Sequence, residues 1–495
     1  MNASLERRPL RCCSALAVAL LCCTPTGAMA ATGRGCAGSW LTFLGGPGTD
    51  VAGGIAVDDG GSVYLTGTST GGWGEPVRAY TRGFDAFVAK LDAHGTLVWI
   101  TFLGGDGDDY GHAIALDRSG GVYVTGASGA AWGSGPVRPF SPGLDAFVAK
   151  LDGAKGTLEW HTFLGGPRPP TEDERRAAER LGLRLPPTKG TEGRGIAVDA
   201  RGSVYVAGRS DNTWGRPVRA HTGDRDAFGA KLDAKSGALV WNTFLGGKDE
   251  DTGHGIAVDG SGNLYISGTS KGTWATPVRP YTAGRDAFAA KLNAATGELR
   301  WNTFLGGPSY DHGRGVAVDG SGNVYVTGWS GAGWGDNPVR GFTGTIDAFA
   351  AKLDATTGAL AWHTFLGGKG NDAIDGIGIA LDRLGNLYLA GSSDASWGSP
   401  GHGYAALDDA LVAELETTTG ALLWHTFLGG KKNDFAYGVA VDGGANVYLI
   451  GLSDAPWGSK PVRAHAGGED VFVARLGSAS GARGAGAGPC PAPPD

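Results

Sequence analysis

Short apolar runs separated by turn residues recur along the chain, and they predict β-strands. One unit of the pattern contains residues 315–319 (GVAVD), 323–328 (NVYVTG), 347–353 (DAFAAKL) and 362–368 (WHTFLGG). Each run is rich in β-branched and aromatic residues and is bounded by Gly, Asn or Asp, which is typical of a strand. The runs are apolar nearly throughout, as expected for strands that are covered on both faces. No unit shows a helical period, which excludes a helical solenoid.

These four runs recur in the same order in seven consecutive units, most of them about 60 residues long. The string Thr-Phe-Leu-Gly-Gly marks each unit and begins at Thr42, Thr101, Thr162, Thr243, Thr303, Thr364 and Thr426. Four short strands cannot bury both faces of their own sheet, but similar sheets packed around an axis cover one another. The sequence therefore predicts an all-β fold, a seven-bladed β-propeller of four-stranded antiparallel blades.

The order of the runs at the two ends of the repeat region predicts that the ring closes. The region begins with a lone fourth strand at residues 40–46 and finishes with a third strand at residues 470–476 that no fourth strand follows. Pairing the first strand with the last satisfies edge hydrogen bonds that would otherwise be exposed. We therefore expect a propeller over residues 40–476 in which the N-terminal strand completes the last blade.

The repeat resembles that of a known family. Residues 255–259 (GIAVD), 263–268 (NLYISG) and 286–292 (DAFAAKL) resemble the core of the bacterial SBBP repeat, whose name denotes a seven-bladed β-propeller. The resemblance implies an exported or surface propeller, usually without an assigned activity. Residues 353–362 (LDATTGALAW) also resemble the tryptophan-docking motif of quinoprotein propellers, although the first unit is one residue shorter there.

The two ends of the chain differ from the repeats. Residues 1–30 predict a signal peptide, because Arg7, Arg8 and Arg11 precede an apolar run and an Ala-Met-Ala cleavage site. The run is shorter than the roughly 20 residues that span a bilayer, so we expect no membrane span. The protein is therefore expected to be exported, whether it is secreted, periplasmic or on the cell surface. A linker is predicted at residues 31–39 and a flexible Gly/Ala/Pro tail at residues 477–495.

Composition and charge narrow the classes of partner. The 495 residues include 90 Gly, and only 18% of them are charged, which suits short strands joined by many turns. Cleavage after residue 30 would remove three Arg and one Glu and change the formal charge from −7 to −9. An acidic protein lacks the clustered basic face that nucleic acid requires. We expect a monomer that binds a protein or a glycan and needs no cofactor.

Two of the six cysteines lie outside the predicted signal peptide. Cys36 precedes the repeats and Cys490 follows them, so in an oxidising compartment they could pair and tie the two ends together. The alternative is two free thiols in flexible segments.

An up-and-down blade places its connections alternately at the two ends of the ring. The tight first-to-second and third-to-fourth hairpins share one face, here called the hairpin face. The long second-to-third loops and the blade-to-blade loops share the other, the loop face. Long loops gathered on a rigid scaffold are the expected binding face. Two series of residues are candidates there: the loop tryptophans Trp73, Trp132, Trp214, Trp274, Trp334, Trp397 and Trp457, and the loop arginines Arg78, Arg138, Arg219, Arg279, Arg340 and Arg463.

Each series has a functional and a structural interpretation. The tryptophans could stack on sugar rings or anchor their loops. The arginines could form a basic ring for a carboxylate or a sulfated ligand, or tie each loop to a blade. A third series, which stands four residues after each Gly-Gly, could hold calcium or accept backbone N–H groups in turns: Asp50, Asp109, Asp251, Asp311, Asp372 and Asp434.

Two further features stand out from the repeats. His161, His363 and His425 begin the outer strands of three units, where we expect them to be exposed. An insertion at about residues 167–190 carries a capping box, Thr171 with Glu174, and predicts a short helix beside the channel mouth.

No motif in the sequence has a catalytic spacing. A phosphate-binding loop and a spaced set of metal ligands are absent from the sequence, and the Gly-x-Ser-x-Gly strings at residues 67–71 and 268–272 end predicted second strands without the helix that a nucleophile elbow needs. The sequence therefore predicts a non-catalytic binding or scaffold module. The alternative is a propeller enzyme of the lyase, lactonase or quinoprotein kind with a site at the channel mouth. Unlike polar residues converging at the mouth would favour the enzyme, and a ring of identical ones would favour binding or structure.

Overall fold

A computed structural model describes residues 38–167, 176, 180, 190–373, 376 and 378–477. The described residues form seven sheets, each packed against the next around a closed ring. In each sheet the first strand of the blade lies nearest the axis. This strand begins with the Asp that stands four residues after Gly-Gly, or with Thr191 in the third blade. The predicted seven-bladed, all-β propeller is confirmed.

The first three blades have the same regular form. From the innermost to the outermost strand, and after the lone strand β1 (Trp40–Leu44), they contain β2 (Asp50–Val57), β3 (Val63–Ser69), β4 (Asp85–Leu91) and β5 (Leu97–Leu103) in blade 1; β6 (Asp109–Leu116), β7 (Gly121–Ser128), β8 (Asp145–Asp152) and β9 (Leu158–Leu164) in blade 2; and β10 (Thr191–Val198), β11 (Ser203–Ser210), β12 (Asp226–Asp233) and β13 (Leu239–Leu245) in blade 3.

Blades 4 and 5 repeat that form, and blades 6 and 7 depart from it. The strands are β14 (Asp251–Val258), β15 (Asn263–Ser270), β16 (Asp286–Asn293) and β17 (Leu299–Leu305) in blade 4; β18 (Asp311–Val318), β19 (Val324–Ser330), β20 (Asp347–Leu353) and β21 (Leu360–Leu366) in blade 5; β22 (Asp372–Ala373), β23 (Ile379–Leu381), β24 (Asn386–Ser393), β25 (Asp409–Glu416) and β26 (Leu422–Leu428) in blade 6; and β27 (Asp434–Val441), β28 (Val447–Ser453) and β29 (Asp470–Leu476) in blade 7. In blade 6 the two pieces β22 and β23 both pair with β24, so they share the position of one inner strand.

The N-terminal strand closes the ring, as the sequence predicts. β1 pairs antiparallel with β29, with Trp40 opposite Arg475 and Leu44 opposite Val471. The N–H of Val462 donates to Leu41 O at 2.7 Å on the other side of β1. The strand therefore has hydrogen bonds on both edges and serves as the outer strand of blade 7.

A loop segment covers the outer edge of the blades. In blade 1 the N–H of Val77 donates to Ile100 O at 2.8 Å, and the N–H of Phe102 donates to Arg78 O at 3.0 Å. The Pro-Val-Arg segment of the long loop therefore runs beside β5 as an additional extended segment. An uncovered outer strand would offer free backbone groups to other chains, and this segment occupies them.

The outer-strand tryptophans connect neighbouring blades. In six cases the indole Nε1–H donates to a carbonyl oxygen in the third-to-fourth hairpin of the next blade, at 2.9–3.3 Å: Trp40–Ala93, Trp99–Gly153, Trp160–Ala234, Trp241–Ala294, Trp301–Ala355 and Trp362–Thr417. The indole lies on the glycine of that hairpin. A Cβ at Gly95, whose φ is 82°, would stand 2.6 Å from Trp40, so only glycine fits.

Trp424 in blade 6 is the exception to this arrangement. Its neighbour, blade 7, has no hairpin between its third and fourth strands, because β29 and β1 come from opposite ends of the repeat region. The indole of Trp424 instead donates to the carboxylate of Glu414 in its own blade. The closure of the ring therefore removes one of the connections between blades.

Several predictions concern residues outside the described ranges. These include the signal peptide, the linker up to residue 37, the tail from residue 478, and both Cys36 and Cys490, which stay predictions. Within the insertion, Arg176 and Arg180 are described, and both are helical and exposed. Among the described residues there is no helix with the length and apolar character needed to cross a membrane.

Candidate functional site

The predicted loop tryptophans lie beneath the loop face, with exposed fractions of 3–7%. Trp132 shows the packing: its ring centroid is 5.5 Å from that of Phe147 and 5.7 Å from that of Phe163, both edge to face. The burial favours the interpretation that these residues anchor their loops. A sugar could reach the rings only after the loops moved, and the stacking hypothesis stays a prediction.

The prediction that His161, His363 and His425 are exposed is wrong, because each is only 2% exposed. The Nε2–H of His161 donates to Trp132 O at 2.8 Å, and the two rings stack at 4.5 Å. Burial lowers the pKa of these three histidines, and the hydrogen bond from the imidazole opposes that shift. The sequence identifies an outer strand, but it does not reveal that the long loop folds back over it.

The loop arginines bind backbone groups of the fold. Arg78 donates from Nη1 to Phe102 O at 2.8 Å and from Nη2 to Gly104 O at 2.7 Å. Its guanidinium carbon lies 5.6 Å from the ring centroid of Trp132 in the next blade. The same donors and the same contact with the next blade recur for Arg138, Arg219, Arg279 and Arg463, and Arg340 keeps the bond to Gly367 O. This geometry favours the structural interpretation, and a basic ring for a ligand stays a prediction.

The repeated aspartates accept hydrogen bonds from their own loops. Asp109 accepts the N–H of Gly105 at 2.9 Å and the hydroxyl of Ser128. Burial raises the pKa of Asp109, Asp251 and Asp434 to about 7, although these hydrogen bonds oppose the shift. Within the described ranges, no three His, Cys, Asp or Glu side chains stand close enough to hold a metal ion. The geometry therefore favours turn formation over calcium binding.

Polar residues of different types converge in the central channel, and no motif in the sequence predicted this. A cavity of about 130 Å³ is lined by residues from all seven blades, which places it on the axis: Ala52, Gly53, His112, Arg194, His254, Arg314, Gly376 and Tyr437. In six blades the lining residue stands three positions after the first residue of the inner strand. The available signal was a variable position that stands between two small residues, Gly or Ala, in each of these six blades.

Positive charge gathers around this cavity. Arg194 pairs with Glu192 at 2.8 Å, and Arg209 pairs with the other carboxylate oxygen of Glu192. Burial disfavours the charge on Glu192, but the two guanidinium groups outweigh it and lower the pKa to about 2. The two arginines therefore share one carboxylate, and Arg314 lines the same cavity.

Two imidazoles face this positive charge in their neutral form. Burial, followed by the charges of Arg314 and Arg194, lowers the pKa of His254 well below its ordinary value. Burial and Arg194 also lower the pKa of His112, whose Nδ1–H donates to Gly193 O at 2.8 Å. His254 is 8% exposed, and its ring nitrogens make no hydrogen bond with the described residues.

Aliphatic side chains line the channel on the hairpin side of the polar residues. They border a second cavity of about 120 Å³ and include Ile55, Ile114, Ile196, Ile256, Ile379 and Val439. In blades 2, 3 and 4 the aliphatic residue follows the polar one by two positions, toward the hairpin face. The polar cavity therefore lies nearer the loop face.

Aromatic residues that differ between blades lie on the loop face. The rings of Phe84 and Tyr110 stack at 5.6 Å, and those of His312 and Trp329 stack at 4.1 Å. Tyr310, at the junction of blades 4 and 5, is 59% exposed, and the other four are partly exposed. We call Phe84, Tyr110, Tyr310, His312 and Trp329 the loop-face aromatic residues.

Comparison with known proteins finds a curated relative and several solved structures. The chain is 26% identical over 390 residues to "Regulatory protein FlaEY" of Caulobacter vibrioides, covering 72% of this chain and 37% of that protein. The chain thus spans little more than a third of the length of this relative.

Similar solved structures have low scores. Hydrazine synthase of Kuenenia stuttgartiensis has a TM-score of 0.47 at 13% identity, covering 80% of this chain and 91% of that one. Quinohemoprotein alcohol dehydrogenase of Comamonas testosteroni has a TM-score of 0.41 at 14% identity, covering 88% and 76%. At this level of similarity neither structure indicates the activity of this chain.

A family model matches the repeats themselves. The model described as "SBBP: Beta-propeller repeat" matches residues 98–130, 240–273, 301–333 and 361–396. Each match extends from an outer strand through the inner strand of the next blade and into the strand that follows it. The matches therefore follow the structural repeat across four blade junctions. This chain is a seven-bladed β-propeller in which four stretches match the SBBP β-propeller repeat.

Proposed function

We propose that this chain is an exported, non-catalytic binding propeller whose loop face recognises a partner protein. The observation that carries the proposal is the contrast between two kinds of loop-face side chain. The repeated tryptophans and arginines are used inside the fold, whereas the loop-face aromatic residues differ between blades and stay accessible. Accessible aromatic side chains are typical anchors of protein interfaces.

The surroundings of the loop-face aromatic residues are those of an interface rim. Between Tyr110 in blade 2 and His312 in blade 5, the loop face carries ion pairs such as Arg225–Asp211 at 2.8 Å and Lys271–Glu250. Aromatic anchors bordered by paired charges are a common composition for a protein interface. The relative FlaEY bears the name of a regulatory protein, and partner binding is one way in which such a role is performed.

The test is capture of a partner on immobilised protein. Surface and medium proteins of the source cell are passed over wild-type protein and over the variants Tyr110→Ala and Trp329→Ala. We expect each variant to bind the captured partner at least about tenfold more weakly. Leu384→Ala is the matched control, because Leu384 is 58% exposed but lies in a hairpin-face turn. Equal capture by all four proteins would contradict the proposal, and binding to a glycan array alone would transfer it to a glycan partner.

A second candidate function, a propeller enzyme, is favoured by the unlike polar residues of the channel. A lyase acting on a carboxylate substrate needs a cation for the carboxylate and a neutral base for the adjacent proton. Arg194 or Arg314 could supply the first and His254 the second. Turnover of uronate or lactone substrates that His254→Gln abolishes would support this candidate over the binding module. An absence of turnover with the wild-type protein would remove it.

A further inference from the structure

We propose that the central channel holds a binding site for an oxyanion group, a carboxylate, sulfate or phosphate, formed by Arg194, Arg314 and His254. The site is independent of the partner proposed above, because it lies inside the ring and is lined by inner strands rather than by loops. Its ligand would enter from the loop face.

The arginines supply the charge and the donors. Arg194 donates a hydrogen bond from Nη2 to Glu192, and its Nε has no hydrogen-bond partner among the described residues. Glu192 is shared with Arg209, so one carboxylate stands against two guanidinium groups on this side of the channel. The Arg194 side chain is half-buried, and a guanidinium whose buried Nε–H is unused is a strong donor to an oxyanion. Arg314 stands on the wall of the same cavity.

His254 is the second observation that points to a ligand. The side chain is more than nine-tenths buried, borders the cavity, and makes no hydrogen bond with the described residues. Buried polar side chains without partners are rare because each costs free energy. An oxyanion in the cavity would accept a hydrogen bond from this imidazole.

The size and the floor of the cavity suit a small anionic group. Its volume of about 130 Å³ is several times the minimum that one water molecule needs. The aliphatic residues on the hairpin side, among them Ile114, Ile196 and Ile256, form an apolar floor. An apolar floor lowers the local dielectric and strengthens the attraction between the arginines and an anion.

Protonation should accompany anion binding. The groups around His254 are Arg194, Arg209, Arg314 and His312, all of which lower its pKa after burial. His112, Glu192 and Tyr437 complete the described wall and its partners, and Asp375 lies outside the described residues. An anion offsets these cations and so favours the imidazolium form.

The experiment is calorimetric titration of the whole protein with sodium sulfate and with sodium acetate at constant ionic strength in sodium chloride. Sulfate tests whether the site binds a tetrahedral oxyanion, and acetate tests whether it binds a carboxylate. We expect one site per chain with a dissociation constant of about 1 mM or tighter for at least one of the two.

Three variants test the location. Arg194→Gln and His254→Gln should each weaken binding at least about tenfold, and the second variant covers the case in which the first does not fold. Arg82→Gln is the matched control, since Arg82 is exposed on a loop and pairs with Asp106 at 3.1 Å. Binding of either anion that is lost in the channel variants and kept in the control supports the site. Failure of both anions to bind, or equal binding by all variants, overturns it.

Discussion

At the scale of single residues, repetition separates structural positions from positions with another use. Trp132 and Arg78 recur in nearly every blade, and both are satisfied within the fold. At the position of Arg194, the two neighbouring blades carry His112 and His254 instead. All three residues line the channel cavity. A ring of seven similar blades thus places its variable side chains together on the axis.

Loss of a loop tryptophan should destabilise the fold strongly. We expect Trp132→Ala to lower the free energy of unfolding by about 3–5 kcal/mol, because the ring is buried among three other rings. Trp329→Ala, at a partly exposed ring, should cost about 1 kcal/mol. Denaturant unfolding of both variants checks this, and similar costs for the two would contradict the anchor interpretation.

The buried Asp109 should make stability depend on pH. Its pKa is about 7 when folded, against 3.8 as the ordinary value, so the folded protein holds a proton that the unfolded chain has lost. The stabilisation is present at acidic pH and is lost as the pH rises through 7. Relative to Asp109→Asn, the wild-type free energy of unfolding should fall by about 2 kcal/mol between pH 5.5 and pH 8.

Asp199 provides the control for that measurement. It accepts N–H groups from its own turn and the hydroxyl of Tyr205, and its pKa is lowered. Because the pKa of Asp199 is lowered, its carboxylate is charged at both pH 5.5 and pH 8. Asp199→Asn should therefore change the free energy of unfolding by the same amount at the two pH values. A parallel pH profile for the wild type and Asp109→Asn would refute the protonated state of Asp109.

At the scale of elements, the junctions between blades are not equivalent. The junction of blades 6 and 7 lacks the indole bond to a hairpin, and Trp457 has no arginine of the preceding blade over its ring, since blade 6 reads Gly-His-Gly at that place. The inner strand of blade 6 is also divided between β22 and β23. This junction should therefore be the least stable one in the ring.

Hydrogen exchange can test the role of the indole bond. We expect Trp99→Phe to speed exchange at Gly156, whose N–H donates to Asp152 O in the hairpin beneath Trp99, because the mutation removes the bond to Gly153 O. Trp424→Phe is the matched control, since its indole donates to its own blade, and exchange in blade 7 should not change. Faster exchange in blade 7 than at Gly156 would contradict this account.

The strands and the closure could be predicted from the sequence because seven copies show the same period. The burial of His161 could not, because it depends on a loop that folds back over β9 and on the Trp132 carbonyl that lies there. The convergence of Arg194 and His254 could not be predicted either, since adjacent blades are about 60 residues apart and only the ring brings their inner strands together.

At the scale of the whole molecule, the ring depends on β1. Removing residues 1–45 should abolish cooperative unfolding, because it exposes the edge of β29 and deletes Phe43 O and Gly45 O, which Arg463 binds. Removing residues 1–35, which keeps Cys36, is the control and should leave the melting temperature unchanged. Calorimetry checks both proteins, and a synthetic peptide of residues 38–46 should restore the transition of the shorter one. A cooperative transition without either β1 or the peptide would contradict the role of closure.

The pairing of β1 with β29 also sets an order on biosynthesis. Arg475 donates to Gly38 O across 437 positions of the chain, so β1 has no strand partner until β29 has been synthesised. Until then the nascent chain is an open arc with an unsatisfied strand at each end, which holdase chaperones and proteases recognise. A ribosome that stops before β29 therefore releases a product whose strand edges stay exposed.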